Sequence, residues 1–379
     1  MKVCTCRVCC NDFFPTPLLK YQNMPKAAQN FPDAASVAGE RGTDLAVHQC
    51  TGCGLIQLDN EPVPYFREVI RAVGVSPIIR EAKTRQFSEL VAKYSLRGKK
   101  VIEIGCGRGE FLELLREVEV EAFGLEYGNC AVKVCQEKGL KVFRGYPEPE
   151  LGAFPHGPFD AFFLLMFLEH MPHPNTALKA IWNNLTDGGI GLVEVPNFSM
   201  MVRKRIFSEF TTDHLLYFTE ETFHNTLRIN GFEVLDCCDL RDEYVLSAVV
   251  RKRRPLEISS FHEYQARITS EINQFIDRFG AKRVAIWGAG HQALAIIALS
   301  GISAKVRYVV DSAPFKQGRF TPATHLPIVP PGTLRQDPVE AVIVIGGSYS
   351  DEIADVLRRE YPSAMQTAIL RDFGLEVMA

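Results

Sequence analysis

The sequence lacks a long apolar segment. Its longest dense apolar run, residues 161–168, is far shorter than the roughly 20 residues that cross a bilayer as a helix. The first residues carry scattered cysteines and charges instead of the apolar core of a secretion signal. We therefore expect a cytoplasmic protein with no membrane partner.

An excess of one charge is also missing. The 42 lysines and arginines nearly balance the 45 aspartates and glutamates, which leaves a net charge of −3 over 379 residues. Because no basic field results, the composition gives no reason to expect nucleic acid as a partner. The 46% of apolar and 23% of charged residues are typical of folded domains, and the length predicts two or three of them.

The 11 cysteines are odd in number and unevenly spread, which argues against a disulfide framework. Two pairs near the N-terminus have the CxxC spacing that presents two thiolates to one metal ion: Cys6 with Cys9, and Cys50 with Cys53. Since four thiolates complete the tetrahedral shell of a structural zinc ion, these residues predict a zinc site. Cys4 and Cys10 are alternative ligands at the first pair, and four reduced thiols without metal are the alternative interpretation.

A glycine-rich turn follows a short apolar stretch in the middle of the chain. Residues 101–104 predict a buried strand, Gly105, Gly107 and Gly109 predict a turn, and residues 111–117 predict a helix. Glycines at such a turn allow the backbone to approach a ligand at the N-terminus of the helix. The segment therefore predicts a nucleotide-type binding site.

Two acids distinguish this turn from a dinucleotide site. Glu110 stands where the third glycine of the dinucleotide fingerprint would be, and Glu103 would repel a pyrophosphate from within the strand. Glu126 ends the next predicted strand, where it can accept hydrogen bonds from both hydroxyls of a ribose. A cationic, phosphate-free nucleoside such as S-adenosylmethionine (SAM) fits these acids. The predicted cofactor residues are Glu103, Gly105, Gly107, Gly109, Phe111, Glu126, Tyr127, Gly145, Tyr146 and Met166.

Further strands continue a doubly wound α/β pattern at residues 159–165, 190–195 and 231–235. Ligands of such sheets bind beyond the carboxyl ends of the strands, so Glu169 and His170 lie near the cofactor by topology. His214 stands in a polar segment further along the chain. Imidazole is the usual proton acceptor near neutral pH, although either histidine could instead be a buried structural residue.

A second nucleotide-type unit follows a basic linker that begins at Arg251. Apolar periodicity predicts a helix over residues 260–279, and a GxGxxA turn begins at Gly288. The next strand, residues 306–310, ends in Asp311, the place of a ribose-binding acid. Taken alone, this unit predicts an NAD site and a dehydrogenase. A substrate-phosphate site and a purely structural domain are the other interpretations.

The order of these parts resembles the three-domain nucleotide-sugar C-methyltransferases of deoxysugar pathways. The two CxxC pairs resemble the zinc knuckles of that family, and Asp311 with residues 316–320 and 324–328 resembles its C-terminal signature. The resemblance implies an α/β protein with an N-terminal zinc-binding domain (1–65), a central Rossmann-like SAM-methyltransferase domain (66–250, opening on a linking helix at 66–95) and a smaller C-terminal Rossmann-like domain (251–379).

In that family, the histidine of a Tyr-x-Glu-His segment is the proposed base. Its match is His214, with Thr211 in place of the tyrosine and Asp213 in place of the glutamate. His170 matches the histidine after the fourth strand, and Tyr65 matches a tyrosine before the linking helix.

The resemblance implies methyl transfer from SAM to a carbon beside a ketone of a nucleoside-diphosphate deoxysugar. His214 would remove the proton from that carbon while Asp213 orients the ring, and His170 and Tyr65 would donate hydrogen bonds to the enolate oxygen. The alternatives are transfer to oxygen or nitrogen of another small molecule, an NAD-binding dehydrogenase, and a SAM-binding protein without catalysis. We expect a small-molecule partner, no nucleic acid, and a monomer or small homo-oligomer.

Overall fold

A computed structural model describes residues 3–29, 31–69, 75–361 and 365–378. The chain divides into two compact units, Met1–Arg254 and Pro255–Ala379. In the described part of the first unit, the strands are β1 (Leu19–Met24), β2 (Thr43–Gln49), β3 (Ile56–Leu58), β4 (Lys100–Ile104), β5 (Glu121–Glu126), β6 (Lys141–Arg144), β7 (Phe159–Leu165), β8 (Leu185–Pro196), β9 (Leu216–Tyr217), β10 (Phe232–Leu240) and β11 (Val245–Lys252). The helices there are α1 (Pro77–Lys93), α2 (Glu110–Glu117), α3 (Asn129–Glu137), α4 (Pro174–Asn183), α5 (Phe198–Arg203) and α6 (Glu220–Ile229).

A seven-stranded sheet in the order β10-β11-β8-β7-β4-β5-β6 forms the centre of the first unit. Strands β4 to β8 are parallel, while β11 runs antiparallel to β8 and β10 antiparallel to β11. Alternate residues of β7 enter two different cores, Phe162 and Leu164 on one face and Phe163 and Leu165 on the other. Both faces of the sheet are therefore covered, and the predicted doubly wound α/β fold is confirmed.

A smaller antiparallel sheet in the order β1-β2-β3-β9 lies in the same unit. Its first three strands come from the N-terminal segment, but β9 comes from far along the chain, with Tyr217 opposite Ile56. The segment that contains His214 is therefore held by pairing with the N-terminal strands.

Helix α1 begins later than the predicted residue 66. Its N-cap is Ser76, whose hydroxyl accepts a hydrogen bond from Ile79 N, and Pro77 is its first residue. Proline keeps the residue before it extended and suits the first helical turn, and the ψ of Ser76 is accordingly 159°. Ile70 and Val73, two apolar residues of the predicted helix, lie outside the described residues.

The second unit has its own sheet in the order β14-β13-β12-β15-β16-β17, which is parallel except at β17. Its described strands are β12 (Val284–Trp287), β13 (Val306–Val310), β14 (Ile328–Val329), β15 (Ala341–Val344), β16 (Gln366–Arg371) and β17 (Gly374–Val377). Its described helices are α7 (Ser259–Asp277), α8 (His291–Leu299), α9 (Thr333–Gln336) and α10 (Ser350–Glu360). Across the described ranges of the chain, each helix is too short or too polar to cross a membrane.

The close packing of the central sheet gives a stability prediction. A Cβ added at Gly191 would lie 2.1 Å from the ring of Phe162 and 2.7 Å from the side chain of Val250, and both residues are fully buried. Gly191→Ala should therefore lower the free energy of unfolding by about 1–3 kcal/mol, measured by urea denaturation. Gly39→Ala is the control, because nothing lies within 4 Å of its added Cβ. Equal effects in the two variants would contradict the packing argument.

Candidate active site

The glycine turn between β4 and α2 has a backbone that favours glycine throughout and is tightly packed at Gly105 and Gly109. Gly105, Gly107 and Gly109 all have positive φ, at 71°, 55° and 83°. A Cβ on Gly105 would lie 2.5 Å from the ring of Phe167. The N–H of Gly105 donates to the carbonyl oxygen of Leu125 at 2.8 Å. The turn therefore lies directly against the carboxyl end of β5.

Glu126, the last residue of β5, faces this turn. One of its carboxylate oxygens accepts the N–H of Gly107 at 2.9 Å, and the other accepts the N–H of Gly128 at 2.7 Å. Burial raises the pKa of Glu126, and these backbone hydrogen bonds oppose the rise. Since each carboxylate oxygen has a second lone pair, the fixed carboxylate can still accept two hydroxyl groups.

Aromatic residues surround the next part of this edge. The ring of Tyr146, which follows β6, packs edge-on against Phe66 at 5.6 Å and Phe167 at 6.1 Å. The guanidinium of Arg67 lies 5.4 Å from the ring of Tyr146 and 5.6 Å from that of Tyr127. Sequence reasoning missed Phe66, Arg67 and Phe167, although two of them directly follow Tyr65.

The other predicted cofactor residues have different surroundings. Glu103 is buried in β4, and Met166 follows β7 with a positive φ of 54°. Gly145 is tightly packed, since an added Cβ would lie 2.8 Å from Leu151. Phe111 packs edge-on against Phe87 in the core, with 6.2 Å between the ring centroids.

The four predicted catalytic residues come from three separate segments and meet in one cluster. The hydroxyl of Tyr65 donates to a carboxylate oxygen of Asp213 at 2.8 Å and accepts the N–H of Ala28 at 2.9 Å. His170 Nδ1 lies 2.8 Å from the carbonyl oxygen of Asp213. The ring of His214 stands edge-on to that of His170, at 4.6 Å between centroids.

Burial keeps both imidazoles neutral. It lowers the pKa of His170 to about 4, against a small opposing effect of the Asp213 carbonyl. It also lowers the pKa of His214 to about 3, to which the proximity of His170 adds. Burial and the bond to Asp213 raise the pKa of Tyr65 to about 12. At neutral pH the cluster therefore holds two uncharged histidines and an intact phenol.

The hydrogen bond of His170 also assigns its tautomer. A carbonyl oxygen only accepts hydrogen bonds, so Nδ1 carries the hydrogen and Nε2 of the neutral ring has only a lone pair. This corrects the expectation that His170 donates to an enolate oxygen, because donation from Nε2 requires the disfavoured imidazolium. Tyr65 likewise directs its hydrogen to Asp213.

Glu169 joins this cluster, although sequence reasoning gave it no role. Its side chain is buried, with 1% exposed, and among the described residues neither carboxyl oxygen has a hydrogen-bond partner. Oε1 lies 3.9 Å from Nε2 of His170, and burial raises the pKa of Glu169 to about 8. The sequence signal was its place beside His170 at the end of a buried strand.

The four predicted metal ligands also meet. Sγ of Cys6 lies 3.6 Å from that of Cys53, Sγ of Cys9 lies 3.3 Å from that of Cys50, and all four sulfurs are within 4.8 Å of one another. A tetrahedral zinc thiolate site, with Zn–S bonds of about 2.3 Å, has sulfurs about 3.8 Å apart, so the cluster fits such an ion. Backbone N–H groups and the amide of Gln57 donate to the sulfurs. Cys4 and Cys10 are exposed and lie outside the cluster.

In the second unit, the GxGxxA turn borders a cavity of about 690 Å³. A Cβ on Gly288 would lie 2.3 Å from the carbonyl oxygen of Ile345. Both carboxylate oxygens of Asp311 are engaged: one accepts from Ala289 N at 2.8 Å and Lys316 Nζ at 2.9 Å, the other from Ala313 N. Lys316 therefore brings positive charge to the cavity and neutralises the acid.

The histidine geometry gives a spectroscopic prediction. ¹⁵N chemical shifts of histidine-labelled protein should show His170 as the Nδ1–H tautomer, neutral down to about pH 4, and His214 neutral down to about pH 3. The sign follows from burial, which destabilises the charged ring and so lowers the pKa. His170→Gln and His214→Gln assign the two resonances. A midpoint near 6.5 for either ring would contradict the described cluster.

Comparison with known proteins gives matches along most of the chain. Residues 79–236 match a family described as a methyltransferase domain, and residues 251–365 match a C-methyltransferase C-terminal domain. C-methyltransferase NovU of Streptomyces niveus is 22% identical over 92% of this chain and 91% of its own length. A ubiquinone biosynthesis O-methyltransferase of Bordetella avium is 30% identical, over 25% of this chain and 42% of that protein.

A solved SAM-dependent methyltransferase from Archaeoglobus fulgidus is similar to 46% of this chain and 94% of its own, with 20% identity and a TM-score of 0.36. The match to the methyltransferase domain covers most of the seven-stranded sheet. Nearly all of the C-terminal match, residues 251–365, follows the last strand of that sheet. With the Rossmann-like α/β fold described above, these matches and the full-length relative show that the protein is a methyltransferase enzyme of the SAM-dependent type.

Proposed function

We propose that the protein transfers a methyl group from SAM to the carbon beside a ketone of a nucleoside-diphosphate deoxysugar. The observation that supports the proposal is the meeting of Tyr65, His170, Asp213 and His214 in one cluster, in which His170 and Asp213 are buried and Tyr65 and His214 half-buried. A carbon beside a ketone needs a base before it can attack a methyl group, and this cluster contains one. The full-length similarity to a C-methyltransferase supports carbon as the acceptor.

The cofactor site would be the glycine turn with the strand ends beside it. Glu126, fixed by two backbone amides, would accept the ribose hydroxyls, and Glu103 would face the ammonium group. The adenine side would be formed by Tyr127, Gly145 and Tyr146, with the remaining contacts from Gly105, Gly107, Gly109 and Met166. The side chain of Phe111, also predicted as a contact, packs in the core instead. When bound, SAM supplies an electrophilic methyl group on a sulfonium.

His214 would remove the proton from the acceptor carbon. Its lowered pKa keeps it unprotonated across the physiological range but also makes it a weaker base. The nearby carboxylate of Asp213, which raises that pKa, would therefore stabilise the imidazolium that forms. Tyr65 would hold that carboxylate in place through its hydrogen bond. A base placed in this way typically contributes about 10²–10⁴-fold to the rate.

The cavity of the second unit would bind a phosphate-bearing ligand. It has the N-terminus of α8 and Lys316 on its border, and both suit a diphosphate. In an NAD site the acid in the place of Asp311 accepts a ribose hydroxyl, whereas here Asp311 accepts from Lys316 and two amides. This arrangement favours a phosphate over the ribose of NAD.

The His214 assignment predicts a specific loss. His214→Ala should slow deuterium exchange at the carbon beside the ketone by about 10²–10⁴-fold, measured by NMR with thymidine-diphosphate and guanosine-diphosphate ketosugars. SAM affinity by calorimetry should stay within about twofold. His262→Ala, at an exposed position of α7, is the control.

Other results would overturn the proposal in distinct ways. A near-native rate of deuterium exchange in His214→Ala would show that His214 is not the base. SAM binding by the native protein without exchange or methylation would indicate a scaffold, and methylation of an oxygen would indicate an O-methyltransferase. Tight NAD binding with hydride transfer would indicate a dehydrogenase.

The cysteine cluster would hold one structural zinc ion, because four thiolates leave no open coordination position. Cys53→Ser should lose the zinc and lower the melting temperature, since binding of a structural metal contributes to folding. Cys10→Ser should keep one zinc per chain, because Cys10 lies outside the cluster. Elemental analysis by mass spectrometry tests both variants, and full zinc content in Cys53→Ser would refute the site.

A further inference from the structure

The buried carboxyl group of Glu169 has no role in the mechanism above. It lies in a short 3₁₀ helix, Leu168–His170, directly after β7. Its 1% exposure and the absence of a hydrogen-bond partner within the described ranges make an ionised form costly. A buried polar group without a partner calls for a functional explanation, such as a ligand or a catalytic role.

Among the described residues, no neighbouring side chain forms a hydrogen bond with the Glu169 carboxyl, and its own backbone N–H is the group that opposes the rise of its pKa. Polar atoms of Glu169, His170 and His214 all lie within 4.8 Å of one another, and both rings are neutral at physiological pH. The charge of an ionised Glu169 would raise the pKa of Tyr244, whose hydroxyl donates to Glu209. The strands packed against this turn, β8 and β9, contribute Glu194, which is paired with Lys83, and the buried phenol of Tyr217.

The proposed mechanism needs a hydrogen-bond donor to the enolate oxygen. Nδ1–H of His170 is directed to the carbonyl oxygen of Asp213, and the hydroxyl of Tyr65 is directed to its carboxylate. His214, as the base, has to present a lone pair. Besides the N–H that neutral His214 carries on its other ring nitrogen, the hydrogen of a protonated Glu169 carboxyl is the one in the described cluster that has no acceptor.

We propose that Glu169 is a catalytic residue that, as a neutral carboxylic acid, donates a hydrogen bond to the enolate oxygen of the substrate. This inference rests on the proposed function and adds an oxyanion donor to it. When the C–H bond breaks, its proton goes to His214 and its electron pair delocalises onto the oxygen held by Glu169. When the new C–C bond forms, the bond between the methyl group and the sulfonium sulfur would break, its electron pair would stay on the sulfur of the departing S-adenosylhomocysteine, and the ketone would return. Glu169 keeps its hydrogen, and His214 releases its proton to solvent.

Two variants separate hydrogen-bond donation from packing. Glu169→Gln keeps the shape and a donor hydrogen but cannot ionise, while Glu169→Leu removes the donor. The rate at which native protein exchanges deuterium into a thymidine-diphosphate 4-keto-6-deoxysugar should fall above about pH 8, because Glu169 ionises there. The Gln variant should lose this alkaline limb and keep part of the rate, and the Leu variant should fall by about 10²–10³-fold. Glu137→Gln, exposed at the end of α3, is the control.

Infrared difference spectra give a readout that needs no substrate. Native minus Glu169→Gln protein at pH 7 should show the carbonyl band of a protonated carboxylic acid, which should vanish above about pH 8. Absence of that band, an alkaline limb retained in Glu169→Gln, or native exchange in Glu169→Leu would each overturn the proposal. A second divalent ion per chain, in addition to the one proposed at the cysteine cluster, would also overturn the proposal if native protein binds it and Glu169→Gln loses it. The acid band without exchange in native protein would instead reject the proposed function, and with it the catalytic role.

Discussion

The hydrogen bond from His170 Nδ1 to the carbonyl oxygen of Asp213 joins the two segments that form the candidate active site. One segment follows β7 of the central sheet, and the other leads into β9, which pairs with β3. The N–H of Leu215 donates to the backbone oxygen of Glu169 at 2.9 Å and ties the same segments together. The position of His214 therefore depends on the pairing of β9 with the N-terminal sheet.

Burial determines the charge state of this site. The same loss of solvent lowers the pKa of both histidines and raises that of Glu169, because the charged form of each group is disfavoured. The resting cluster of these three groups is thus uncharged. In the proposed reaction, charge would separate only when a proton moves, and in a low-dielectric site an imidazolium and a nearby enolate would stabilise each other far more than they would in water.

The parts of the fold that depend on local pattern were predictable from sequence. Strand β7 matches its predicted range and so does β13, since buried parallel strands are continuous apolar runs between turns. Strand β9 was not predictable, because a two-residue strand has no periodicity and its partner lies far upstream. The spacing of the cysteines left Cys4 and Cys10 open as ligands, and only the folded positions of the sulfurs exclude them from the cluster.

Glu126 and Asp311 show that a sequence pattern also predicts less about a binding site than the folded structure does. Glu126 and Asp311 each end or follow the second strand of a nucleotide-type unit, so one pattern predicts a ribose acceptor in both. In the structure, Glu126 accepts two backbone amides and keeps lone pairs for hydroxyl groups. Asp311 accepts a lysine ammonium as well as two amides. The chemistry of each carboxylate is therefore decided by the groups that the fold places around it, and the ion pair with Lys316 distinguishes Asp311 from Glu126.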